Sequence, residues 1–531
     1  MGPETNIGAI LALEKRFEEG EGDVTQLKRA RNSLLNISTR VPPEILGHIF
    51  CWNTIPRGDF FWVQNGSYNF LLVCHHWFEV ASGTPELWTF WGNSLEQWSR
   101  RYQRSTATPI DVVLDASPGP DSLMDIRFDG PLRDALRDRA SSDSIRSLHL
   151  GGWHIPLLRS VISSLTPDGE GTRSSSIESL VLDYDNVDGD LDISDFLARY
   201  RFPKLRNLRI STHAGITYWS RLKLPSPSLT TLSLEYEVTP SSPTISQFLS
   251  IIASYPNLQD LSFHEDLDDT EISRDVGNES VVRVPLRHLK KLYLRGGWRH
   301  VFWLLDRLEC PDRLDDVGLH LERATEEISE LLAPYLQGRI RRDDRFQGRL
   351  AIDVSSLYYF TSLKINAIGN IPTVLPRHNH PSASFTVQFG DPVPQCAREK
   401  LFVTLVALTP RERVVRFSAG FSTQLIKDLV VTMPNIEDLD LEGLVISDLF
   451  LRPDPPSHTK LLPSLQRLSL YHFTLRDDDW SPLANYLVHQ TSGGQAVSLR
   501  IYGRSLPVPP EVVREIEDLA EGFSLSYPNT E

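Results

Sequence analysis

Cys51, Cys74, His75 and His76 are residue types that bind zinc, and the chain has only two further cysteines, Cys310 and Cys396. A structural zinc site is normally built from close ligand pairs such as Cys-x-x-Cys. No such pair occurs in the sequence. Cys74 falls instead on an apolar stripe with Phe70 and Trp77, where a thiol packs as a small hydrophobe. His378 and His380, in the run IPTVLPRHNHPSA, have no partner pattern. The sequence also lacks a Gly-rich phosphate cradle, a Gly-x-Ser-x-Gly elbow and a His-Glu-x-x-His helix, so ATP use, serine hydrolysis and zinc proteolysis have no foothold. The acidic runs His264-Glu265-Asp266 and Asp477-Asp478-Asp479 do not follow the oxygen spacing of a calcium loop. The expectation is a non-catalytic chain with no metal and no cofactor.

Composition points the same way. The net charge of −15 leaves no surplus of Lys and Arg for phosphate backbones, so nucleic acid is not an expected partner. Four cysteines in 531 residues are too sparse for a disulfide framework and fit a reducing compartment. The start MGPETNIGAILALEKRFEEG has no basic leader before an apolar run, and no stretch approaches the ~18 apolar residues of a spanning helix. A chain of the cytoplasm or nucleus, with no membrane partner, is expected. The sequons at Asn36, Asn65 and Asn278 carry weight only in a secreted chain.

Four segments can be told apart. Residues 1–36 read as a helical lead-in, with Ile7, Ile10, Leu13 and Phe17, then Val24, Leu27 and Leu34, at helical spacing on either side of Gly20 and Gly22. Residues 37–95 read as three short aromatic-rich helices. Pro42 and Pro43 open the first, where a missing N–H costs least, and Glu44 suits its first turn. Ile45, Leu46, Ile49 and Phe50 form one apolar face there, Phe70, Val73, Cys74 and Trp77 a second stripe, and Thr84-Pro85 opens a third element with Leu87, Trp88 and Trp91. Residues 511–531 form a C-terminal tail.

Between them, residues 96–510 repeat. A Leu-x-Leu unit recurs at 148–150, 180–182, 208–210, 232–234, 261–263, 292–294, 439–441, 468–470 and 499–501, spaced by about 24 to 32 residues within each run. Several units share a phrase in which Pro precedes an inward Leu or Ile: FPKLRNLRI at 202, SPSLTTLSL at 226, YPNLQDLSF at 255, MPNIEDLDL at 433 and LPSLQRLSL at 462. Alternation then points both strand leucines to one face. Amphipathic stretches from 245, 301, 326 and 423 predict helices between strands, and AIDVSS, SFTVQF and RVVRFS predict strands in the less regular stretch 320–430. The fold class expected is α/β: a curved parallel sheet inside, helices outside, in a leucine-rich-repeat solenoid.

ISTRVPPEILGHIFCWN followed by FLLVCHHWFEVASGTPELWTFW resembles the F-box family, whose pattern is Leu-Pro-x-Glu-(Ile or Val)-Leu, an aliphatic-Phe pair and a later Val-Cys-x-x-Trp. Thr84-Pro85-Glu86-Leu87-Trp88 looks like the extended form common in fungal members. Val41 stands where Leu is commoner, and NTIPRGDFFWVQNGSYN separates the two halves, as either a packed loop or an added contact. The resemblance covers about a tenth of the chain. It implies the substrate-recognition subunit of a cullin-based SCF-type ubiquitin ligase: the F-box would dock on a Skp-type linker protein, and the repeats would bind a target protein. By match to the motif, Val41, Pro42, Glu44, Ile45, Leu46, Ile49, Phe50, Leu72, Val73 and Trp77 would contact the linker or support the contacting helices.

On the strands, the residues that alternate with the leucines select the target-binding face: His149, Asp183, Arg209, Glu235, His264, Tyr293, Arg295, Glu442 and Tyr471. The alternative is a leucine-rich interaction scaffold in which a degenerate F-box only caps the repeats.

Overall fold

The computed structural model describes residues 41–54, 68–91, 98–105, 108–116, 130–141, 143–152, 155–165, 173–184, 200–212, 226–237, 245–266, 283–322, 328–347, 349–357, 360–368, 383–390, 411–419, 432–442, 462–471, 497–502 and 524–526, with scattered single residues elsewhere. Most of the helical lead-in, the run IPTVLPRHNHPSA, the expected helix from 423 and the stretch joining the two F-box-like halves lie outside these residues. The chain divides into two compact units, Met1–Pro243 and Thr244–Glu531.

The first unit begins with helix α1 (Pro43–Thr54), a 3₁₀ turn Tyr68–Leu72, helix α2 (His75–Ser82) and a 3₁₀ turn Pro85–Trp88. The second apolar stripe is therefore not one helix: Cys74 is extended at φ −162°, ψ 167° and caps α2. The expected third helix is a single turn, and Trp91 belongs to strand β1 (Phe90–Trp91). That strand pairs in parallel with β2 (Ile110–Ala116), so the helical region runs directly into the sheet. Helix α3 (Trp98–Arg104) lies between them in sequence.

The sheet continues through β3 (Ile145–Gly152), β5 (Ser179–Tyr184), β7 (Asn207–Thr212) and β8 (Thr231–Glu237), all parallel. Helix α4 (Gly130–Ser141) precedes β3 and helix α5 (Ile155–Leu165) follows it. The short strands β4 (Arg173–Ser174) and β6 (Tyr200–Arg201) form a separate parallel pair. Register places Trp91, Val112, Leu148, Leu180, Leu208 and Leu232 in one row. All six are buried. A single short strand cannot shield its apolar face, and the neighbouring strand's row covers it in turn.

In the second unit, helix α6 (Ile245–Ile252) precedes β9 (Asp260–Asp266), which pairs in parallel with β11 (Lys291–Gly297). Helix α7 (Trp298–Arg307) starts three residues earlier than the apolar run at 301 suggests, and stops where Leu308–Glu309 (β12) pairs with Val284–Pro285 (β10). Strand β13 (Asp316–Glu322) and helix α8 (Ile328–Arg342) follow.

Here the all-parallel expectation fails. Strands β14 (Arg349–Leu357), β15 (Phe360–Ile368) and β16 (Ala383–Gly390) are antiparallel to one another in turn. β16 pairs in parallel with β13, and β14 pairs in parallel with β17 (Val414–Ala419). Two residues between β14 and β15 allow only a hairpin, so β15 is reversed and its flanking strands rejoin the parallel sheet. Parallel pairing resumes through β18 (Asp438–Glu442), β19 (Arg467–Tyr471), β20 (Ser498–Tyr502) and β21 (Ser524–Ser526). The molecule is thus α/β with mostly parallel sheet, and among the described residues helices are fewer than strict strand–helix alternation predicts.

The proline phrase is a tight turn. Leu205 N–H donates to Phe202 O, Leu229 to Ser226 O, Leu258 to Tyr255 O and Leu465 to Leu462 O, at 3.2 Å in each case. Proline therefore sits at the second turn position, which its fixed φ suits, rather than simply ending a helix. Pro203, Pro227, Pro256 and Pro463 stay exposed while the residues on both sides of the turn are buried. Pro256→Ala should therefore cost less than about 1 kcal/mol, and Leu258→Ala about 2–5 kcal/mol. Urea unfolding of the full chain measures the contrast, and equal losses would contradict this account of the turn.

Candidate functional site

Helix α1 is the centre of the first candidate surface. Leu46 N–H donates to Pro42 O at 3.0 Å as the helix opens. At about 100° per residue, Ile45, Ile49, Leu46 and Phe50 span a stripe of about 140°. The structure divides this expected single face. Leu46 and Phe50 are 2 % and 1 % exposed and pack with Phe70, Ala81, Leu87 and Trp88, while Ile45 and Ile49 remain 51 % and 45 % exposed. Trp52, one further turn along the outer edge and not singled out from the sequence, is 66 % exposed. Its spacing of i+7 from Ile45 was the available signal.

The remaining motif residues also separate into two groups. Phe50 stacks on Phe70 with centroids 4.5 Å apart and meets Trp77 at 5.1 Å, so Phe50 and the half-buried Trp77 support the core. Val41 packs against the same cluster. Leu72 and Val73 stand exposed on the turn before α2, as does Phe78 on α2 itself. Pro42 and Glu44 are exposed at the start of α1. Of the eight large apolar side chains that stay exposed among the described residues, six fall between Ile45 and Phe78. They are concentrated in this short segment, whereas elsewhere exposed apolar side chains are single and ordinary.

The opposite side of α1 is different. Glu44, His48, Cys51, His76, Glu79 and Glu86 are among the residues lining an open cleft of about 660 Å³. Burial and the nearby Glu86 carboxylate push the Cys51 thiol up, away from the thiolate form that metals and electrophiles require. Among the described residues, no group of three or more His, Cys, Asp or Glu side chains is arranged to hold a metal. Gly47 fits α1 against the α2 exit turn: a Cβ there would lie 2.9 Å from Thr84 Oγ1, which donates to Val80 O at 2.7 Å.

The module is tied to the sheet by arginines and tryptophans. Trp88 Nε1 donates to Ala81 O at 2.9 Å. Arg104 lies 4.3 Å from the centroid of the Trp88 ring, and Arg101 on α3 donates to Phe90 O. Arg139 on α4 donates to Ser105 Oγ at 3.0 Å.

The second candidate surface is the non-core face of the strands, described unit by unit. In the first unit, His149 lies in register with Val113, Val181 and Arg209, and Asp183 lies in register with Ser211 and Glu235. Arg209 Nη2 is 4.0 Å from Glu235 Oε2. In the second unit, His264, Arg295, His320 and Gln388 form one row across four strands, with Tyr293 in the row beside it. Tyr471 lies elsewhere in that unit, stacked on Tyr502 at 4.6 Å and 3°. Glu442 ends β18, and its side chain lies outside the described residues.

His320 was missed from the sequence, although Leu319-His320-Leu321 is itself a Leu-x-Leu unit. Burial holds its ring down to about 4, with Arg295 and His264 adding to the shift and a hydrogen bond to Gln388 opposing it.

Compared with protein-family models and with curated proteins, the sequence gives no match. Among the described residues, no helix is long and apolar enough to cross a membrane.

Two measurements check this geometry. Gly47→Leu should destabilise by about 1–3 kcal/mol by forcing α1 away from Thr84, read as a lower urea midpoint. His320 binds its proton less tightly folded, at about 4, than unfolded, at 6.5, so the unfolded chain carries the extra proton between those values. Stability therefore falls as pH drops through that window. His320→Gln should flatten the dependence of the urea midpoint on pH there, and an unchanged slope would contradict a neutral buried ring.

Proposed function

We propose that the chain is the substrate-recognition subunit of a cullin-based SCF-type ubiquitin ligase, docking through its F-box-like module on a Skp-type linker and presenting a target protein on leucine-rich repeats. The observation that carries the reading is the divided stripe of α1. Leu46 and Phe50 hold the module together, while Ile45, Ile49 and Trp52 stay outside at i, i+4 and i+7. An exposed helix edge of that kind fits an apolar seam on a helical partner, with the exposed Pro42 and Glu44 at its rim.

Leu72 and Val73 supply further apolar anchors from the second half of the motif. The Pro-x-Leu turns and in-register leucine rows support the leucine-rich reading of the rest. In this arrangement the chain is an adaptor, and the transfer chemistry belongs to its partners.

A second reading, a scaffold in which the helical module serves only as a cap, is favoured by one observation. Trp91 heads the buried row of the first unit's sheet, and β1 extends that sheet by one strand. Capping and docking differ in what they need from the exposed edge of α1.

Replacing the exposed Ile45 and Ile49 together by Asp should abolish binding of the full chain to the purified linker and leave its circular dichroism and urea midpoint unchanged. Leu46→Asp, by contrast, should unfold the module, because it buries an unpaired charge. Wild-type protein that does not bind the linker, or a double variant that binds it as well as wild type, would sink the docking reading and leave the cap.

A further inference from the structure

Arg295 is held by one edge. Its Nε donates to Glu322 Oε1 at 2.9 Å, and its terminal nitrogens make no hydrogen bond to any described residue. Other strand arginines are used differently. Arg146 gives Nε and Nη2 to the two oxygens of Asp111, and Arg467 gives the same pair to Asp438. A guanidinium fixed through Nε, with its side chain 37 % exposed, presents a pre-oriented planar fork. Little further entropy is lost when an anion takes the outer edge.

The surroundings fit an anion with an apolar neighbour. His264 and His320 flank Arg295 in register, so neither neighbouring strand sets a carboxylate beside it in that row. Lys291 is balanced in its own row by Asp260 and Asp316. In a chain of net charge −15, the carboxylate that Arg295 engages among the described residues is Glu322, and it takes only the Nε edge.

Beside it, Tyr293 is the one large apolar side chain on the described strands that stays exposed, at 38 %. Its ring lies against Gly318, where a Cβ would come within 2.5 Å of Cδ2, so any side chain at 318 would lift it. Tyr and Arg, held rigid and side by side, are the residue types that dominate binding energy at interfaces.

We propose that the Tyr293–Arg295 surface binds an extended segment of a partner protein by an acidic side chain, carboxylate or phosphate, whose oxygens take the open Nη edge of Arg295 while an adjacent apolar residue covers Tyr293. The proposal names the substrate class for the strand face and rests on reading that face as the target-binding surface.

The test presents full-length protein to an array of short peptides, in matched sets with Glu, phosphoserine, Gln or Lys between aliphatic neighbours. The Glu or phosphoserine set should be retained over Gln and Lys, and the order of the first two tells carboxylate from phosphate. Arg295→Gln, Arg295→Lys and Tyr293→Ala should each weaken that binding roughly tenfold or more. Arg416→Gln, which touches a different carboxylate, Asp440, should not.

Binding that ignores the central charge, an array with no retained peptide, or acidic binding unaffected in both Arg295 variants and in Tyr293→Ala overturns the proposal. Unfolding midpoints of each variant separate loss of contact from loss of fold. Linker binding, measured on the same preparations, separates the two readings. A charge-blind array with intact linker binding sinks only this inference, whereas absent linker binding with a charge-selective array sinks only the docking role.

Discussion

A stripe of apolar residues about 140° wide runs along α1, and the small core beside it covers only one edge. That core consists of Leu46, Phe50, Phe70, Ala81, Leu87 and Trp88, drawn from two short helices and two single turns. So few elements cannot surround a helix. Ile45, Ile49 and Trp52 keep about half or more of their surface in solvent, and burying the remainder of each would recover about 1 kcal/mol. Three large apolar residues at one-face spacing are thus kept at the surface of the module.

The first unit transmits the consequence. α1 and α2 fix Trp88 through its bond to Ala81 O, Trp88 leads into β1, and Trp91 heads the row that runs through Val112 to Leu232. Arg101, Arg104 and Arg139 clasp the junction through a backbone carbonyl, an indole face and a serine hydroxyl. The helical module is therefore joined to the first strands through packed side chains. Each later strand of the unit repeats the same solution, a leucine row covering its neighbour's.

Much of this was legible because it is periodic. The nine Leu-x-Leu units all lie on strands, and the turns before them follow from proline's fixed φ with an inward leucine two residues later. What escaped lacked the phrase. β15 alternates as a strand should, but nothing in FTSLKINAI says that it runs backwards; two residues of chain after β14 decide that. β13 carries a Leu-x-Leu unit behind a longer Cys-Pro lead, and with it His320 was overlooked. On α1 the sequence located the stripe and not its division. Which edge of a helix is buried depends on where Phe70 and Trp88 arrive from, and that is tertiary information. Leu46, expected either to contact a partner or to support the contacting helices, belongs to the core, while Trp52 lies outside.

Hydroxyl-radical footprinting of the full chain, alone and with the purified linker, addresses the central claim most directly, because it reads side-chain exposure residue by residue. The account predicts that oxidation of Ile45, Ile49, Trp52 and Leu72 falls sharply when the linker is added, with Trp88 and Trp91 equally shielded in both states. Unchanged oxidation of Ile45, Ile49 and Trp52 in the presence of saturating linker would contradict it.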